Sequence, residues 1–456
     1  MNSLALLACG IVIVVGSILW LRLHAFLALV LGAYAVALLT PATALRDYAD
    51  GRVAKGELTA KAAAKFPEKA ASARVADEFG KTCANLGILI AMATIIGEAM
   101  LLSGAAEAIA AAMLRWLGAG RAHWAFFTTS FLLCIPVMLD TVMVLLAPLL
   151  KAVARKTQRD YLLLVLCTVA GGTITHSLVP PTPGPLFVAG ELGVPLGLMI
   201  GMGSAIGLGA ALTGVAFAKV LNRNQAIALP EDESIAPQTR DLPPLWLALL
   251  PVILSVALIS LDASYPHGWL IHTLGEKDMA LTLGALAALL PLAFRADKKL
   301  AANAVGTALA SGAVIVLIIG AGGAFGGVLR QTGIAEVFGT LLGHAHSFAL
   351  PVVFLITMLV RTAQGSATVA MITAAPIAKA FIESGSAHVH PVYFAIAIGC
   401  GSKPVSWMND AGFWIISKST GLNERETLRT VSPMIALQGV AGLALTIVCA
   451  WIWPMT

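Results

Sequence analysis

Apolar runs recur along this chain from one end to the other, at 3–21, 25–40, 83–114, 124–150, 161–221, 245–261, 269–294, 302–329, 348–361, 366–382, 391–415 and 432–453. A helix needs about 20 apolar residues to cross a hydrocarbon layer about 30 Å thick. Only 12% of the 456 residues are charged, against about a quarter in soluble domains. Lipid offers the backbone no hydrogen bonds, so spanning segments must be helices or closed barrels. Runs of this length select helices. The expectation is an all-α polytopic membrane protein with about ten to twelve embedded segments. A net charge of +5 does not point to nucleic acid. The start, MNSLALLACGIVIVV, lacks a basic leader and a small-residue cleavage site, and reads as a first membrane helix. Six cysteines show no CxxC spacing and sit mostly in apolar runs. They read as reduced and buried, with no metal site or disulfide framework.

Two polar stretches organise the rest. Residues 1–45 hold N-terminal membrane helices. Residues 46–81 form a polar, amphipathic insert rich in Ala, Lys and Glu, read as a solvated helix beside the membrane. A first repeat occupies 82–221, a polar linker 222–244, and a second half 245–456. The halves match at an offset of about 229 positions: Gly97 with Gly326, Gly104 with Gly333, Glu107 with Glu336, and Gly172 with Gly401. Internal duplication is a mark of secondary transporters. Arg115, Arg121, Lys151, Arg155, Lys156 and Arg159 flank 124–150, whereas 344–350 and 380–390 carry no Lys or Arg. The positive-inside rule then puts the two regions on opposite faces. The expectation is two inverted-topology repeats, with re-entrant hairpins at about 124–150 and about 352–379 and broken transmembrane helices beside them.

Four motifs inside the apolar runs carry the polar chemistry. IPVMLDTVMVLLAP places Asp140 at a hairpin tip, where a carboxylate is expensive and functional or caps backbone amides. THSLVPPTPGP holds His176, Pro180, Pro181, Pro183 and Gly184. Its prolines stop a helix and free backbone groups, tolerated in a membrane only inside protein or beside water. RTAQGSATVAMITAAP holds Arg361, Gln364, Gly365, Ser366 and Thr368, a small polar run able to donate to carboxylate or hydroxyl oxygens. Arg361 reads as a side chain snorkelling from a helix end, or as a fork onto a carboxylate. GSKPVSWMNDAGFW repeats the break with Lys403, Asn409, Asp410 and Gly412. Lys403 is read as neutralising a carboxylate or binding an anion. GAGGAFGG at 320–327 is read as helix packing rather than a nucleotide loop, and Glu98 stands alone in an apolar run as a group able to titrate. No GxSxG, HExxH or Walker loop is present, so neither an enzyme nor an ATP-driven pump is expected.

In order and spacing, MLDTVMVLLAP, THSLVPPTPGP, RTAQGSATVAMITAAP and NDAGFW resemble the signatures of the gluconate permease family, the gluconate:proton symporters. The resemblance spans about 80–455. It implies a multi-pass carrier of the inner (cytoplasmic) membrane for sugar acids, with relatives that take other small hydroxy acids or D-serine. More distantly it implies the ion-transporter group with inverted repeats, and an elevator-like motion. Thr182 stands where the family commonly has His, and Lys403 lies in a stretch the family keeps more neutral. The resulting expectation is proton-coupled uptake of a small hydroxylated carboxylate such as gluconate. Gln364, Gly365, Ser366, Thr368, Asn409, Gly184, Arg361 and Lys403 would bind substrate. Asp140, His176 and Asp410 would handle the proton, and Pro180, Pro181, Pro183 and Gly412 would form the breaks. No cofactor is expected, only H⁺ as coupling ion. The alternatives are Na⁺ coupling and a D-serine or other small-acid carrier, ahead of a channel or membrane enzyme. The partners expected are a small anion and the lipid bilayer, with a homodimer as the assembly to test.

Overall fold

The computed structural model describes residues 3–54, 56–157, 160–224, 227, 242–264, 268–294, 298–334, 337, 348–385, 388–408 and 410–455. These residues are helical, in the order α1 (Ser3–Leu19), α2 (Ala25–Leu39), α3 (Ala42–Ala54), α4 (Ala60–Lys65), α5 (Ala71–Leu102), α6 (Ala105–Leu117), α7 (Ala122–Leu133), α8 (Leu139–Thr157), α9 (Tyr161–Leu178) and α10 (Pro183–Leu192). There follow α11 (Leu196–Asn224), α12 (Leu245–Ser264), α13 (Trp269–Gly275), α14 (Lys277–Phe294), α15 (Lys298–Arg330), α16 (Ala349–Gln364), α17 (Ala367–Glu383), α18 (Pro391–Gly401), α19 (Ala411–Thr420) and α20 (Glu424–Ile452). Among the described residues, 7 helices are long and apolar enough to cross a membrane, or 8 if the pair α2 and α3, bent by 99°, counts as one. Shorter apolar helices lie at α1, α16 and α18.

The boundaries differ from the sequence expectation in two places. No break separates the polar insert from the first repeat at 81/82, because α5 runs through it from Ala71 to Leu102. The insert is therefore the end of α3, α4 and the first turns of α5, rather than one surface helix. The hairpins are longer than expected. The first is α7 and α8 with its turn at 134–138; the second is α16 and α17 with its turn at Gly365 and Ser366. Gly365 adopts φ +76°, a left-handed conformation that glycine enters without a Cβ penalty, and this allows a turn of two residues.

Burial shows what the fold is built around. The broken pair α9–α10 is 94% buried along its apolar window, whereas the other spans are 28–50% buried. α7 packs on α9, and α16 on α18. The halves then exchange partners: α8 packs on α19, and α17 on α10. Each hairpin thus lies against the helix before its own break and the helix after the other break. α5 and α15 form the most extensive helix pair and flank this centre. The glycine run 320–327 lies inside α15, where its missing side chains admit Phe79, Thr82, Ile372 and Pro376.

Close approach of the hairpins depends on glycine at repeat-related positions. A Cβ on Gly172 would stand 2.6 Å from Leu139 Cδ1, and one on Gly401 would stand 2.5 Å from the Phe354 carbonyl oxygen. The second obstacle is backbone and cannot rotate away. Gly401→Ala is therefore expected to separate α16 from α18 and cost about 1–3 kcal/mol, the usual range for overpacking. Thermal unfolding in detergent checks this; an unchanged melting temperature would show that the contact is loose.

Candidate functional site

The hairpin tips and the second break enclose a cavity of about 340 Å³. Into it open three helix starts. The first two residues of α8 (Leu139, Asp140), of α17 (Ala367, Thr368) and of α19 (Ala411, Gly412) all line it. Helix N-termini carry unpaired amides and about half a positive charge each. Local sequence explains the starts. Ser366 caps α17, its hydroxyl accepting from the Val369 amide at 3.4 Å. Asp410 caps α19, its Oδ1 accepting from the Gly412 amide at 2.9 Å.

The charged groups of the cavity are mostly engaged with protein. Arg361, 5% exposed, donates to the Gly365 carbonyl, to the Ser402 carbonyl at 3.1 Å and to Asp410. Ser406 also donates to Asp410 Oδ2, at 2.5 Å. Lys403 is buried and donates to the Thr173 carbonyl at 2.5 Å. Arg361 and Lys403 thus tie the second break to α16 and α9, and both residues line the cavity. This replaces the snorkelling reading of Arg361 and the ion-pair reading of Lys403.

Three groups remain open. Asp140 lines the cavity and forms no ion pair among the described residues. Both amide atoms of Gln364 and Nδ1 of His176 are buried without a hydrogen-bond partner among the described residues. A buried polar atom without a partner costs about 1–3 kcal/mol, and both residues line the cavity. Thr368 and Ser366 add hydroxyls.

Several expected site residues lie elsewhere. Gly184 does not line the cavity; it sits where α10 meets α17, and a Cβ there would stand 2.1 Å from Met371 Cε. Pro181 and Pro183 face a second, smaller cavity, and Pro180 lines neither. Gly412 is not itself a break: the break is 402–410, and Gly412 is the second residue of α19. Asn409 lies outside the described residues. Sequence reasoning missed Met138, Leu139, Thr173, Ser402 and Ser406 as lining groups. For Thr173 and Ser402 a signal existed, since they are repeat-related neighbours of Gly172 and Gly401. Among the described residues no three His, Cys, Asp or Glu side chains are grouped to hold a metal. His390 caps α18, accepting from the Val392 amide at 3.1 Å.

Comparison with known proteins agrees with this architecture. The sequence model of the GntP family permeases matches residues 59–452. A gluconate permease of Pseudomonas aeruginosa is 33% identical over 383 residues, 80% of this chain and 85% of its own. The D-serine transporter DsdX of Escherichia coli O6:H1 is 30% identical over 390 residues, 82% of this chain and 86% of its own. Among solved structures, MtrF of Neisseria gonorrhoeae superposes with a TM-score of 0.62 at 17% identity, covering 87% of this chain and 85% of MtrF. That likeness concerns the fold.

Proposed function

The chain belongs to the GntP permease family, a multi-pass membrane transporter and not an enzyme, and on that premise we propose that it imports a small hydroxylated carboxylate, with gluconate first among candidates, in symport with protons across the inner membrane. The observation that carries this reading is the cavity of about 340 Å³ into which three helix N-termini point. Amide dipoles suit a carboxylate, and the unpartnered Gln364 amide with the Thr368 and Ser366 hydroxyls suits a polyol chain. The volume is at the small end of the range for ligand sites, about 300–1,000 Å³. The relatives named above carry gluconate or D-serine, both small acids with a hydroxyl group. An anion entering a negative interior works against about 2.3 kcal/mol per charge per 100 mV. One proton per carboxylate removes that opposition. In this reading Asp140 takes that proton. The two hairpins enter from opposite faces, so that the cavity lies near the midplane and opens alternately.

Two measurements test the reading. Gluconate at 100 times its Kd stabilises the folded state by about 2.7 kcal/mol. A thermal-shift screen against sugar acids, hydroxy acids and D-amino acids should single out gluconate or a close analogue, and Gln364→Ala should lose the shift. No shift with any small acid would overturn the substrate class. Counterflow of labelled gluconate under a fixed pH gradient, with and without Na⁺, should be indifferent to Na⁺; strict Na⁺ dependence would replace the proton by sodium.

A further inference from the structure

The second cavity, of about 100 Å³, lies on the other side of the first hairpin tip. It is lined by Glu98 and Thr94 of α5, Met138 and Thr141 of the hairpin, Thr182 of the first break and Ser311 of α15, among others. Glu98 is the sole Asp, Glu, Lys or Arg of α5 beyond Lys81, a position where an acidic side chain is costly and usually functional. Among the described residues, no Lys, Arg or His lines this cavity. Among the described residues, α15 presents Ala308, Ser311 and Ile315 to it, the break Pro181, Thr182 and Pro183, and the hairpin Thr141, while Asp140 faces the larger cavity. Four hydroxyl-bearing side chains and a carboxyl give water enough partners to occupy such a space.

The two cavities share the first hairpin tip. Met138 lines both, and the consecutive residues Asp140 and Thr141 line one each. At Gly97, beside Glu98, a Cβ would stand 3.1 Å from the Pro136 carbonyl oxygen, so α5 rests directly on the tip. We propose that Glu98 is a second proton site, separate from the substrate cavity, and that it makes transport electrogenic. A proton adds to a carboxylate oxygen of Glu98 on one side of the membrane and leaves it to water on the other; no other bond changes. Occupancy of either cavity bears on the same hairpin tip, which couples the two. The inference rests on the reading of the chain as a proton-coupled carrier of a carboxylate. With two protons and one monoanion, each cycle moves one positive charge inward.

The test uses the full chain in proteoliposomes with labelled gluconate. At equal pH on both sides, an inside-negative potassium diffusion potential should raise the accumulation ratio about 50-fold per 100 mV, which is about 2.3 kcal/mol. Glu98→Gln should lose this response yet still accumulate gluconate under a pH gradient, and Glu98→Asp should regain it. A Glu98→Gln protein that still answers to potential, or a parent protein that does not, overturns the proposal and leaves the function reading intact. If the parent moves no gluconate under either gradient, the function reading falls, and infrared spectroscopy of the purified protein decides for Glu98. A carboxyl band that titrates with pH and vanishes in Glu98→Gln supports it, and identical spectra overturn it. Should Glu98→Gln fail to reach the membrane, the reversal potential of the parent decides: two protons per gluconate support the proposal, one overturns it.

Discussion

In Asp140→Asn, gluconate binding loses the steeper part of its pH dependence. The parent protein binds the anion best when Asp140 is protonated, because an ionised carboxylate in the same cavity repels it. Affinity should therefore fall as pH rises, by up to about tenfold per pH unit. Asn is neutral at every pH and removes the share of the slope that Asp140 contributes, leaving the weaker one relayed from Glu98 through the hairpin tip. Asp140 is singled out over Asp410 because the latter is held by Arg361, Ser406 and the Gly412 amide, whereas Asp140 forms no ion pair among the described residues. Isothermal titration of gluconate into each protein across pH 5.5 to 8, a range of roughly the span in which physiological titrations fall, checks this. A parental slope in Asp140→Asn would move the proton to another group.

The second large effect concerns stability. Arg361 and Asp410 side chains are 6% and 13% exposed and form an ion pair. Removing one partner of a buried pair strands the other charge and costs about 3–5 kcal/mol, whereas replacing both is often neutral. Arg361→Ala should therefore lower the melting temperature sharply and weaken gluconate binding, since the same guanidinium also holds the Ser402 and Gly365 carbonyls. Arg361→Met combined with Asp410→Asn should recover much of the stability. Melting curves in detergent distinguish the cases. A double variant no better than Arg361→Ala would mean that the carbonyl contacts, not the ion pair, hold the break.

How far this site was legible in the sequence depends on the range of the interaction that builds each part. Helix starts and stops are local. Gly365 followed by Ser366, and Asp410 before Ala411, are cap residues whose chemistry acts within three positions, and the hairpin turn and the start of α19 lie where those residues put them. The proline break is likewise local, ending α9 at Leu178 and starting α10 at Pro183. What a break faces is not local. Pro181 and Pro183 share a cavity with Glu98 because α5 packs on α10, and nothing near residue 180 encodes that partner. Gly184 was misplaced for the same reason: the side chain it admits, Met371, comes from the other half of the chain. The roles of Arg361 and Lys403 depended on which carbonyls the fold would leave unpaired beside them, a property of the assembled tips. The start of α5 at Ala71 was hidden by its polar first turns, which read as surface.

The central claim is that a small acid binds between the two hairpin tips and the second break. A cryo-EM map of the protein with gluconate tests it most directly. Ligand density is expected against the first turns of α8, α17 and α19, with Gln364 turned toward it. Ligand density elsewhere, or a cavity that stays filled by side chains while gluconate is bound, would contradict it.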